Sequence, residues 1–122
     1  MSTLKLDTIA SRDGTESTDV TNVINGSAKA WVNFDGTGTV AIRDSFNVGS
    51  ITDNGTGDYT VNFTNAMVDA DYSVVATSGY HTVTWGLIYF NAAFTSSACR
   101  FITTSPSEGD ADNQIVCVSV FR

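Results

Sequence analysis

From Ala28 onward, apolar and polar residues alternate with a period of two. "AKAWVNF" places Ala30, Val32 and Phe34 on one side and Trp31 and Asn33 on the other. "TVAIRDSFNV" sets Val40 and Ile42 against Ala41 and Arg43, then runs on to Phe46 and Val48. "DYTVNF" puts Tyr59, Val61 and Phe63 on one face and Thr60 and Asn62 on the other. "DYSVVATSG" follows, then "TVTWGLIYF" with Val83, Trp85, Leu87 and Tyr89 facing one way, and finally "ACRFITT" and "QIVCVSVF". Alternation over four to eight residues marks a half-buried strand. No stretch has a convincing helical period, although the connection "TNAMVDADY" leaves room for one helical turn. Seven or eight short strands joined by turns predict an all-β fold. The expected form is an antiparallel β-sandwich with jelly-roll-like or Greek-key connections, a barrel being the other way to close such a set.

The first 27 residues break this pattern. "TLKLDTI" alternates at Leu4 and Leu6 and predicts a strand, and "ASRDGTESTDVTNVINGS" after it reads as loop. A lone strand is unstable in water. This one therefore needs a neighbour, in its own domain or in another copy of the chain. The expected organisation is an extended leader over 1–27 and one β-domain over 28–122.

Composition sharpens the picture. Thr, Ser, Asn, Gly and Val are abundant, Leu occurs only at 4, 6 and 87, and Pro106 is the one proline. Such usage disfavours helices and favours pleated strands. Lys+Arg number 6 against Asp+Glu 13, a formal net charge of −7. That argues against nucleic acid or an anionic membrane as partner, since both call for clustered Lys and Arg. No apolar run is long enough to insert in a bilayer. The N-terminus lacks the apolar core of a secretory signal, so maturation in a cytoplasm is expected.

Two Gly-Thr-Gly stretches, at 36–38 and 55–57, raise the question of a phosphate cradle. A cradle of that kind needs a helix immediately after the glycines, with its amides facing the phosphate. Here "TVAIR" and "DYTVNF" follow, both strand patterns, and neither pair is followed by Lys-Ser/Thr. Asp-Gly and Asn-Gly are instead hairpin signals. Both stretches are predicted to be tight turns or sharp corners.

Little points to catalysis, and no enzyme is expected. His81 is the only imidazole, and Ser78 near it lies along a strand rather than in a strained elbow. Asp53, Asp58, Asp69 and Asp71 read as turn residues and caps. Cys99 and Cys117 match no zinc spacing and read as thiols packed in strands, with a disulfide between them as the alternative. No cofactor is expected. The one metal candidate is "EGDAD", where Glu108, Asp110 and Asp112 can converge on Ca2+, although as a solvated acidic loop they need no metal. Aromatic rings beside Asn, Asp and Thr are what sugar-binding surfaces use, the ring stacking on C–H groups. Tyr80, His81 and Trp85 are the candidates for such a ligand. Trp31 and Trp85 also suit a core or a contact between subunits.

The segment "INGSAKAWVNFDGTGTVAIRDSFNVGSITDNGTGDYTVNFTNAM" resembles a module of virion proteins from tailed bacteriophages, notably tail fibres of aquatic phages. The opening "STLKLDTIASRDGT" is similar to the short leader of such fibre proteins, and together they span residues 2–67. The resemblance implies a β-rich homotrimer assembled in the host cytoplasm and located on the virion. Its leader would join other virion proteins or clasp neighbouring chains, and its C-terminal domain would bind host-surface carbohydrate. The alternative is a capsid decoration or tail adaptor protein that binds only other virion proteins.

Overall fold

The computed structural model describes residues 1–80, 83–105 and 109–122, with the backbone alone at 80 and 83–86. Strands β1 (Thr8–Ala10) and β2 (Ser17–Asp19) form a small hairpin, followed by helix α1 (Val20–Gly26). The remaining strands are β3 (Ala28–Asp35), β4 (Ala41–Phe46), β5 (Val48–Gly55), β6 (Asp58–Phe63), β7 (Ser73–Tyr80), β8 (Val83–Gly86), β9 (Ile88–Tyr89), β10 (Ala98–Thr103) and β11 (Ile115–Phe121). They make a four-stranded sheet, β5-β6-β10-β9, and a five-stranded sheet, β4-β3-β11-β7-β8. Neighbouring strands pair antiparallel. The chain is thus all-β apart from one short helix, as the alternation predicts.

The two sheets share a core. Ala30, Val32 and Phe34 of β3 and Val116, Val118 and Val120 of β11 are buried from one side. Tyr59 and Val61 of β6 and Cys99 and Phe101 of β10 are buried from the other. The Phe34 ring meets Tyr59 edge-on at 5.2 Å between centroids and Phe101 at 6.4 Å, which ties the sheets together. Burial of each large apolar side chain stabilises by about 1.5–3 kcal/mol.

Two expectations need correction. The first is the strand count: the described residues form eleven strands, because two alternating runs are each cut in two and β2 forms in a stretch that reads as loop. "AIRDSFNVGSIT" leaves the five-stranded sheet after Phe46 and enters the four-stranded sheet at Val48. Asn47 makes the corner with φ 54, a left-handed conformation that asparagine tolerates better than most residues. Its side-chain amide donates to the carbonyls of Lys29 (3.0 Å) and Asn65 (3.1 Å), and its Oδ1 accepts the Asn65 N–H at 2.8 Å. "TVTWGLIYF" is likewise divided at Leu87, with β8 in one sheet and β9 in the other. Leu87 and Tyr89 are both exposed while Ile88 packs against the core, so these two share a face as the alternation predicts.

The second correction concerns the first 27 residues: β1 begins at Thr8, beyond Leu4 and Leu6, and α1 lies where the sequence reads as loop. Val20, Val23 and Ile24 fall at helical spacing along the helix, but the stripe is one turn long and none of its residues is buried. The connection 64–72 contains no helix. Cys99 and Cys117 are free thiols in different sheets. Cys117 faces away from the core that Cys99 fills, which excludes the disulfide alternative in this fold.

The strand ends sort into two poles. At one, segment 1–27 enters β3, Asn47 turns its corner, and Arg122 pairs with Asp69 at 2.7 Å. The turns after β3 and β5, the β7–β8 hairpin and the loop 104–113 gather at the other, as the register of Gly79 with Ile115 and of Asp58 with Ile102 requires.

Candidate functional site

The pole opposite segment 1–27 is built around a polar knot. Gly36 and Gly57, one from each Gly-Thr-Gly stretch, meet there. The first stretch turns β3 into β4 and the second turns β5 into β6, as predicted. The hydroxyl of Tyr59 shares its proton between the Gly36 carbonyl (2.9 Å) and Oδ1 of Asp112 (2.8 Å). The same carboxylate oxygen accepts the Gly57 N–H at 2.7 Å. Gly36 N–H donates to the Asn113 carbonyl at 2.9 Å, and Thr103 N–H to the Gly57 carbonyl at 2.8 Å. Burial, then the Asp112 carboxylate, push the Tyr59 phenol pKa well above its ordinary value, so it stays a donor. Neither glycine tolerates a side chain here: a Cβ on Gly36 would lie 2.8 Å from the Tyr59 ring, and one on Gly57 2.7 Å from the Ala111 nitrogen.

Of the candidate binding residues, Tyr80 and Trp85 have their backbone at this pole. Tyr80 ends β7 and is in register with Val83, and Ser78 with Gly86, so the chain reverses between them. Trp85 lies on β8, the edge strand of its sheet. His81 lies outside the described residues, as does Glu108. The loop 104–113 packs beside this hairpin: Asn113, buried, donates to Ser78 Oγ at 3.3 Å, and Thr104 N–H donates to the Leu87 carbonyl at 3.1 Å. The fold therefore brings the β7–β8 hairpin and the loop before β11 together at one end.

Two members of the proposed calcium set have internal partners. Asp112 is held by Tyr59 and Gly57, and Asp110 accepts the Tyr89 hydroxyl at 2.9 Å. Among the described residues, no group of three or more His, Cys, Asp or Glu side chains is placed to hold a metal. The third member, Glu108, is outside that set. Among the described residues the strongly shifted phenols and thiol are also inert: burial raises Tyr72, and pushes Cys99 up to about 12, the opposite of an activated nucleophile.

The outer faces of the sheets differ. On the four-stranded sheet, Asn62 donates to Thr52 Oγ1 (2.9 Å), Asn54 to Thr60 Oγ1 (2.9 Å), and Arg100 Nε to Asp58 (2.8 Å). On the five-stranded sheet, cross-strand register lines up Phe46, Trp31, Ser119 and Val75 in one row. The three apolar members of that row are exposed. Sequence reasoning left Trp31 open between core and interface, and the alternation that buries Ala30 and Val32 turns it outward. It missed Tyr59, although a buried tyrosine hydroxyl usually finds a partner. The partner lies 53 positions away and leaves no local signal.

No family model matches this chain, and no curated protein and no solved structure shows significant similarity to it.

Proposed function

We propose that the chain is a tail-fibre-like structural protein of a phage virion that binds host-surface carbohydrate through its C-terminal domain. One observation supports this above the others. Segment 1–27 leaves the sheets at one pole, while the β7–β8 hairpin and the acidic loop gather at the other. A module attached by its leader would then present Tyr80, His81 and Trp85 outward. The two sheets would form an antiparallel sandwich of jelly-roll-like or Greek-key type, with the knot around Tyr59 holding the presenting loops in place. Binding is reversible, and three copies in a homotrimer raise a weak single-site affinity by multivalency. Ca2+ would matter only if Glu108 joins Asp110 on the outside of the loop.

A glycan array tests this reading. The expected result is binding to a surface polysaccharide that is lost in Trp85→Ala and Tyr80→Ala while the melting temperature holds. The exposed row of Phe46, Trp31 and Val75 favours a second reading, a decoration or adaptor protein that binds only virion partners. An empty array together with tight binding to capsids or baseplates would replace the first reading by the second.

A further inference from the structure

Among the described residues, two apolar surfaces lack a cover. Segment 1–27 contains a two-stranded hairpin and a helix, yet buries no residue. Leu4 is 81% exposed, and Leu6, Ile9, Val23 and Ile24 are exposed as well. A hairpin of this size is marginal in water without a surface to pack on. The other surface is the row on the five-stranded sheet, where Phe46 is 54% and Val75 60% exposed beside Trp31. Trp31 is three residues into β3, so the row crosses the sheet at the pole where the arm is rooted.

We propose that the arm of one copy lies across the Phe46–Trp31–Val75 row of a second copy. The areas match. The row offers roughly 300 Å² of apolar surface and the five arm side chains roughly 450 Å², so a chain that gives its arm and receives another covers roughly 750 Å² of its own surface, about what one partner buries in a stable interface but divided between two neighbours. Either surface alone falls short of that. Handing each arm to a neighbour closes a ring, and the apolar surface is then covered in every copy. The four-stranded sheet, whose outer face is a ladder of Asn, Thr, Arg and Asp, stays in solvent. This inference rests on the self-association in the proposed function and names the surfaces that carry it.

The test uses full-length chains in a Cys117→Ser background, which leaves only buried Cys99. One protein carries Ile9→Cys and a mass tag; the other carries Val75→Cys. Mixed and mildly oxidised, they are expected to give the tagged heterodimer as the main cross-linked product. Only like-with-like products, Ile9 to Ile9 or Val75 to Val75, overturn the proposal, because arms or faces would then meet their own kind. A single chain carrying both substitutions and closing only on itself overturns it too. In parallel, Leu6→Asp with Ile9→Asp is expected to raise the concentration for half-assembly at least about tenfold, a shift of 1.4 kcal/mol or more. Assembly undiminished in that variant overturns the arm's role and leaves self-association standing. A wild-type monomer at every concentration removes both.

Discussion

The hydroxyl of Tyr59 lies 2.8 Å from Oδ1 of Asp112, joining β6 to the loop that leads into β11. That contact, with the Gly36 carbonyl beside it, fixes the distance between the two sheets at the loop pole. Removing the hydroxyl alone, in Tyr59→Phe, leaves the ring packed on Phe34 and Phe101. The Gly36 carbonyl then loses this partner, while Asp112 keeps the Gly57 N–H. The expected cost is about 1–3 kcal/mol, read as a lower Tm by roughly 3–6 °C per kcal/mol. An unchanged Tm would show that the knot does not hold the sheets.

The glycines of the two turns are predicted to differ. Gly38 has φ 61 but open space around its Cβ position, so Gly38→Ala is expected to cost about 1 kcal/mol for the backbone conformation. Gly57→Ala combines φ 69 with a Cβ 2.7 Å from the Ala111 nitrogen and is expected to cost several kcal/mol or to prevent folding. Urea melts of the two variants compare them directly, and equal midpoints would count against the close approach at Gly57.

Asn47 is predicted to act through both backbone and side chain. Asn47→Gly keeps the left-handed corner and loses the hydrogen bonds to Lys29 and Asn65, at a cost of about 2 kcal/mol. Asn47→Ala loses both and is expected to be worse by a further 1 kcal/mol or so. A ranking with alanine above glycine in chemical denaturation would contradict the sheet-switching corner.

Stability is expected to fall at both ends of the pH range. Burial raises Cys99 from 9.0 to about 12 and raises the phenols of Tyr59 and Tyr72. These groups stabilise fully below their ordinary values, and the benefit is lost as pH climbs, because the unfolded chain releases protons that the folded one retains. Thermal midpoints should therefore decline from about pH 9 upward. Cys99→Ala should flatten the first part of that decline, whatever its own effect on Tm. At the acid end, hydrogen bonds from Arg122 lower Asp69 to about 2, and those from Arg100 lower Asp58. Their contribution is present above about pH 4 and fades as pH falls toward 2. A midpoint flat from pH 5 to pH 2 would remove these pairs from the account.

Much of the fold was legible because strand alternation is a local signal. Ala30, Val32 and Phe34, Tyr59 and Val61, and the two Gly-Thr-Gly turns all lie where the pattern puts them. The runs through Asn47 and Leu87 misled the strand count, since a strand that changes sheets keeps its alternation of residue types while its partners change. Helix α1 was missed because its stripe of Val20, Val23 and Ile24 is only one turn long and sits among turn-forming Asn, Gly and Thr. Of the candidate site, the sequence marked Tyr80, His81, Trp85 and the carboxylates at 108–112 separately. It gave no hint that hairpin and loop lie side by side, or that Asp112 is taken up by Tyr59.

By itself, then, the sequence determined the class of structure, the inward faces of its main strands and the places where the chain turns. Period, turn chemistry and propensity act over a few residues and can be read in order. Which strands share a sheet, which pole holds the loops and which aromatic row is left uncovered were decided only in three dimensions. Those relations join Tyr59 to Asp112, Phe34 to Phe101 and Trp31 to Phe46 and Ser119, pairs set by register and packing between distant segments.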